Sequence, residues 1–86
     1  MLSVRTYLSL LSSIGSSIKK IRIGQQLSQH ELARLCHIQK ASLSRIENGK
    51  NNSTLLSLQN IANALQVGII ELFPVSQDPA NIAKKP

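Results

Sequence analysis

Residues 27–50 read LSQHELARLCHIQKASLSRIENGK, and the punctuation of this stretch decides how the chain folds. Ser28 is followed three residues later by Glu31. In that pattern the serine hydroxyl and the glutamate carboxylate each satisfy a backbone N–H left unpaired at a helix start. Leu27 before the cap and Leu32 after it suit a hydrophobic staple. A helix therefore runs from this cap to about Cys36, with Leu32, Ala33, Leu35 and Cys36 expected to face inward. His37, Ile38 and Gln39 are too few for anything but a tight turn. A second helical pattern then covers 40–48, with Leu43 and Ile46 inward and Gly49 as its C-terminal cap.

Upstream, Leu10, Ile14, Ile18 and Ile21 recur at helical spacing, which predicts a first helix over 13–23 stopped near Gly24. Downstream, 50–53 is a polar linker, and Ser53 or Thr54 caps a further helix with Leu55, Leu58, Ile61, Ala62 and Leu65 on one face. The run VGIIELF at 67–73 suits either a last helical turn or a strand, and Pro74 ends it in both cases. The expected organisation is a leader at 1–12, one domain at 13–73 and a flexible tail at 74–86. The fold class is all-α, a compact domain of four to five helices with a short C-terminal strand as the alternative.

Composition narrows what such a domain does. Its 86 residues make one small core, because a chain this short buries only about 60% of its unfolded surface. There are ten Lys plus Arg against four Asp plus Glu, a net charge of +6, so the surface suits a polyanion and nucleic acid first. Aromatics are 2% of the chain, which leaves Leu, Ile and Ala to build the core. The single Cys36 excludes an internal disulfide and a paired-cysteine metal site, and points to a reducing cytoplasm. His30, Cys36 and His37 lack a fourth metal ligand, and the four acids form no catalytic constellation. Neither enzymatic activity, a cofactor, a metal nor a small-molecule substrate is expected. No apolar run is long enough for a bilayer, and the start carries one Arg5 among interrupting serines, unlike a secretory leader.

Two short helices joined by about three residues, with the small Ala33 on the first where the second must come close, form a helix-turn-helix. Its outer face would carry Lys40, Ala41, Ser42, Ser44 and Arg45 and could enter a major groove. LSQHELA at 27–33, SLSRIENGK at 42–50 and LQNIANALQV at 58–67, at these spacings, resemble the phage-repressor and Cro family of helix-turn-helix proteins, the XRE type. The resemblance implies a homodimer that binds operator DNA and regulates transcription, most often repressing its own operon. By it, Lys40, Ala41 and Arg45 read base edges, flanked by Ser42 and Ser44. Gln29, Gln39, Asn48, Lys50 and Asn52 meet phosphates and set register.

Arg22 and Glu47 match a pair that links the first and third helices in that family, so a partly buried salt bridge is expected. Direct contact of Arg22 with a phosphate is the rival. The family usually has glycine where this chain has Gln26, His37 and Gln66; left-handed backbone at all three would carry modest strain. Dimerisation is assigned to Ile69, Ile70, Leu72 and Phe73, more apolar surface than a small domain leaves in water. Two further groups share these motifs: HipB-type antitoxins, which hold a kinase toxin and pair a strand after the fourth helix across their dimer, and restriction–modification controller proteins. A cognate toxin is thus an alternative partner.

Overall fold

The computed structural model describes residues 4–50 and 53–74, with side chains from residue 6 onward. Asn52 and all of the expected tail except Pro74 lie outside the described residues. Four α-helices follow one another, α1 Val4–Gly24, α2 Gln29–Cys36, α3 Lys40–Glu47 and α4 Leu55–Leu65, and a 3₁₀ turn over Ile69–Leu72 completes the domain. α1 packs on α3, α4 and the 3₁₀ turn, while α2 lies between α3 and α4. The core is almost wholly aliphatic, with Ile18, Leu32, Leu43, Ile61, Leu65 and Leu72 fully buried. No described helix is long and apolar enough to cross a membrane.

Three expectations change. The first helix begins at Val4 rather than at 13, so most of the expected leader is helical and continuous with α1. No glycine or proline stands before Gly15 to stop the helix, and Leu10 and Leu11 are half-buried. The strand alternative for 67–73 is not adopted; the backbone turns into the 3₁₀ geometry, with the Glu71 N–H donating to the Gly68 carbonyl at 3.0 Å. Leu35 and Leu55 are exposed rather than inward, at 51% and 66%. On α2, Leu32, Ala33 and Cys36 already fill the inner stripe and Leu35 falls to its side. Leu55 opens α4 a full turn before the first buried residue, Leu58.

The helix ends share one construction. At the end of each α-helix the chain turns through a left-handed residue one or two places past the last helical one: Gln26 at φ 62°, His37 at 59°, Gly49 at 70° and Gln66 at 61°. Each donates to the carbonyl three residues back, and the next residue donates five back: Leu27 to Arg22, Ile38 to Ala33, Lys50 to Arg45 and Val67 to Ala62. These are Schellman closures, and in three of the four the second residue is apolar and packs on the core. Leu27, Ile38 and Val67 thus hold in place a backbone that glutamine and histidine adopt at a cost.

That cost is recoverable. Gln26→Gly and Gln66→Gly are each expected to stabilise the fold by about 0.5–1 kcal/mol, the left-handed strain less the extra freedom of unfolded glycine. Thermal melts of the single and double variants check this, and a lowered Tm for both would refute it.

Candidate nucleic-acid interface

α2 begins where the sequence places its cap. The Ser28 hydroxyl accepts from the Glu31 N–H at 3.0 Å, and Glu31 Oε1 accepts from the Ser28 N–H at 2.7 Å. The N–H that Ser28 donates holds the exposed Glu31 carboxyl below its ordinary pKa. Ala33, 3% exposed, lets the two helices of the motif approach. α3 rests on Leu43, Ile46 and Glu47, all buried. Lys40, Ala41 and Arg45 are left exposed on its outer side, with Gln39 and Asn48 exposed at its two ends and Lys50 just beyond.

Ser42 and Ser44 are half-buried, not outward. Helical rotation puts Ala41 and Arg45 at the middle of the outer face and the two serines at its margins. Ser42 turns toward α4, lining an open cleft of about 410 Å³ with Ile38, Ile46, Thr54 and Ser57. The outer face therefore narrows to Lys40, Ala41 and Arg45. Gln39 caps α3 through its backbone alone and makes no side-chain cap bond.

Behind this face stands a buried ion pair. Arg22 Nε donates to Glu47 Oε2 at 2.7 Å and Nη2 donates to Oε1 at 3.1 Å, a two-pronged bridge between α1 and the last residue of α3. Arg22 is 8% exposed and Glu47 4%. The remaining arm, Nη1, donates to the Leu27 carbonyl at 2.8 Å, so the guanidinium is committed inside the protein and not to a phosphate. Gln29 Nε2 donates to Glu47 Oε1 at 2.9 Å and joins α2 to the same carboxylate. One acid thus ties together the three helices that orient the outer face, and its charge is neutralised where DNA would approach.

Two glycines set how close α1 comes. A Cβ at position 15 would lie 2.6 Å from the Glu47 carbonyl oxygen and closer still to that of Ile46. One at position 49 would lie 2.8 Å from Ser12 Cα. Backbone therefore meets backbone where α1 crosses the end of α3. Sequence reasoning missed Gly15, and the signal available to it was a glycine kept inside a helical pattern at a cost of about 1 kcal/mol against alanine. Two further ties went unforeseen: Gln25 Nε2 donates to the Leu65 carbonyl at 2.6 Å, and Asn60 Nδ2 to that of Cys36 at 2.7 Å.

Of the residues assigned to a dimer contact, Leu72 is fully buried within its own domain and is not available to a partner. It is the one fully buried residue of the 3₁₀ turn, with Ile69 half-buried and packed against the core beside it. Ile70 is 72% exposed, and with Ile69, Phe73 and Pro74 it lines an open apolar groove of about 390 Å³.

Residues 18–72 match the profile of the helix-turn-helix family HTH_3. The chain is 37% identical over 60 residues to the control protein C.MunI of Mycoplasma sp, a match covering 69% of this chain and 81% of that one. It is 31% identical over 67 residues to an uncharacterized HTH-type transcriptional regulator, y4dJ, of Sinorhizobium fredii, covering 77% and 87%. The crystal structure of the restriction-modification controller protein C.AhdI from Aeromonas hydrophila superposes with a TM-score of 0.72 at 30% identity, over 73% of this chain and 96% of that one. The matched segment takes in α2, its turn, α3 and α4 entire, and the chain belongs to the helix-turn-helix family.

Proposed function

We propose that this chain is a sequence-specific transcriptional regulator that binds duplex operator DNA as a homodimer and represses its own promoter. The observation that carries the reading is the outer face of α3. Lys40, Ala41 and Arg45 stand exposed on a short helix whose inner side is buried and whose end is fixed by the Arg22–Glu47 bridge. Arg45 suits a bidentate contact with guanine O6 and N7, Lys40 donates to guanine acceptors, and Ala41 meets a thymine methyl. Gln29, Gln39, Asn48 and Lys50, with Asn52, contact the phosphates on either side. Occupying an operator that overlaps a promoter excludes polymerase, and no cofactor takes part.

The apolar groove of Ile69, Ile70 and Phe73 supports pairing of two copies. Two recognition helices then read half-sites one helical turn apart, about 34 Å. Among kinds of regulator, the restriction–modification controller reading is favoured by the likeness to C.MunI and C.AhdI. The antitoxin alternative rests on the likeness of 38–48 and 51–65 to that group, and the strand which that group pairs across its dimer has no counterpart at 69–72, a 3₁₀ turn.

The deciding experiment titrates a labelled duplex from upstream of this gene, against a scrambled duplex, at several salt concentrations. A clear preference for the upstream duplex is expected, with affinity falling steeply as salt rises. Arg45→Ala should cost about 1–3 kcal/mol on the operator and relax preference at one base pair. Lys50→Ala should weaken both duplexes alike and lower the salt slope by about 1. Equal losses on both duplexes for Arg45→Ala would remove it as a base reader, and a wild-type chain with no preference would overturn the operator reading.

A further inference from the structure

We infer that the N-terminal half of α1, residues 4–15, is a positioning element for DNA binding that sets the height of the loop carrying Asn48 and Lys50. The inference rests on the proposed DNA-binding reading and adds to it a part of the chain with no groove-facing role. α1 starts at Val4, while the family match starts at residue 18, so this half of the helix lies outside the matched segment.

The argument turns on why position 49 is glycine. Left-handed backbone alone does not require it here, because the same closure carries glutamine at 26 and 66 and histidine at 37. What distinguishes position 49 is its neighbour. A Cβ there would sit 2.8 Å from Ser12 Cα, 3.0 Å from Ser12 N and 3.3 Å from Leu11 C, all backbone of α1. Gly15, one turn further along the same helix, faces the carbonyls of Ile46 and Glu47 with the same intolerance. Two glycines on opposing elements therefore seat α1 directly on the last turn of α3 and its closure.

That closure leads straight into the phosphate-contacting residues. Asn48 donates its N–H to the Ser44 carbonyl at 3.0 Å, Gly49 to that of Ile46 at 3.1 Å and Lys50 to that of Arg45 at 2.9 Å. Residues 48–50 are thus hydrogen-bonded back to α3, and Gly49 among them lies against the backbone of α1, with the Asn48 and Lys50 side chains exposed. Lifting the loop from α1 moves phosphate contacts while leaving Lys40, Ala41 and Arg45 on their own helix.

Gly49→Asn tests this in the full chain, since asparagine tolerates the left-handed region but brings the Cβ that α1 forbids. Folding is checked by circular dichroism and melting. Binding is then measured on the upstream and scrambled duplexes across a salt series. The expected result is a loss on both duplexes by the same factor, about tenfold, with the slope of log K against log salt reduced by about 1. The ratio between the duplexes stays at its wild-type value. Leu11→Ala trims α1 beside the contact without adding bulk and should lower the slope in the same direction; it decides the matter if Gly49→Asn does not fold. Folded variants with the wild-type slope, or a change in the duplex ratio without one in slope, would overturn the inference. A wild-type chain with neither slope nor preference would instead overturn the DNA-binding reading beneath it.

Discussion

Glu47→Ala is expected to destabilise the domain by about 3–5 kcal/mol, because it leaves the Arg22 guanidinium buried without its counter-ion. The side chain of Glu47 is 1% exposed and that of Arg22 9%, so water does not replace the lost partner. Gln29 also loses the acceptor of its amide, leaving a second half-buried donor unpaired. Small domains are stable by only about 5–15 kcal/mol, so this variant should be partly unfolded at physiological temperature. Urea denaturation of wild type and variant provides the measurement. A loss under about 1 kcal/mol would mean that the bridge is far better hydrated than its burial indicates. The paired replacement Arg22→Met with Glu47→Leu removes both charges at once and should recover most of the loss, since it is the unpaired charge that is costly.

Gly15→Ala and Gly24→Ala should move stability in opposite directions, although both replace a glycine of α1 with the best helix former. At Gly24 nothing lies within 4 Å of a new Cβ, and the substitution should stabilise by up to about 1 kcal/mol. At Gly15 the same methyl group meets two backbone carbonyl oxygens of α3, neither of which can rotate aside. The propensity gain is outweighed by the displacement of α1 from α3, with a net loss of about 2–3 kcal/mol. For a domain of this size each kcal/mol moves Tm by about 4–8 °C, so calorimetry on the two variants separates the signs easily. A stabilised Gly15→Ala would show that α1 and α3 are not in backbone contact, and would undermine the positioning role assigned to residues 4–15 as well.

These expectations also mark where sequence reasoning stopped. Local chemistry was readable: the Ser28–Glu31 cap, the turn at 37–39 and the apolar stripe of α4 beyond its first turn are written in neighbouring residues. The register of α3 was legible for the same reason, since Leu43 and Ile46 fix its inner side and leave Arg45 outward. What neighbours could not reveal was distance across the fold. The weight on Gly15 depends on a carbonyl more than thirty positions away, and Ser42 turns aside because α4 passes beside it. The start of α1 was placed late because the apolar spacing that marks the helix begins only at Leu10, whereas helix continues through the polar residues before it when nothing breaks it. Leu72 was assigned outward from hydrophobicity alone, and a run of apolar residues does not say which member the tight 3₁₀ turn will point inward.

The burial of Cys36 gives this domain a clock. It is the sole thiol of the chain, 1% exposed on the inner side of α2, and its own carbonyl is held by Asn60 of α4. Burial pushes the thiol pKa up, so little reactive thiolate exists while the helices are closed. An alkylating reagent therefore reaches sulfur only in molecules whose α2 has parted from α4, and the modification rate counts those openings directly. Followed with and without operator duplex, the same unlabelled protein reports how far bound DNA suppresses the momentary separation of the motif from its scaffold.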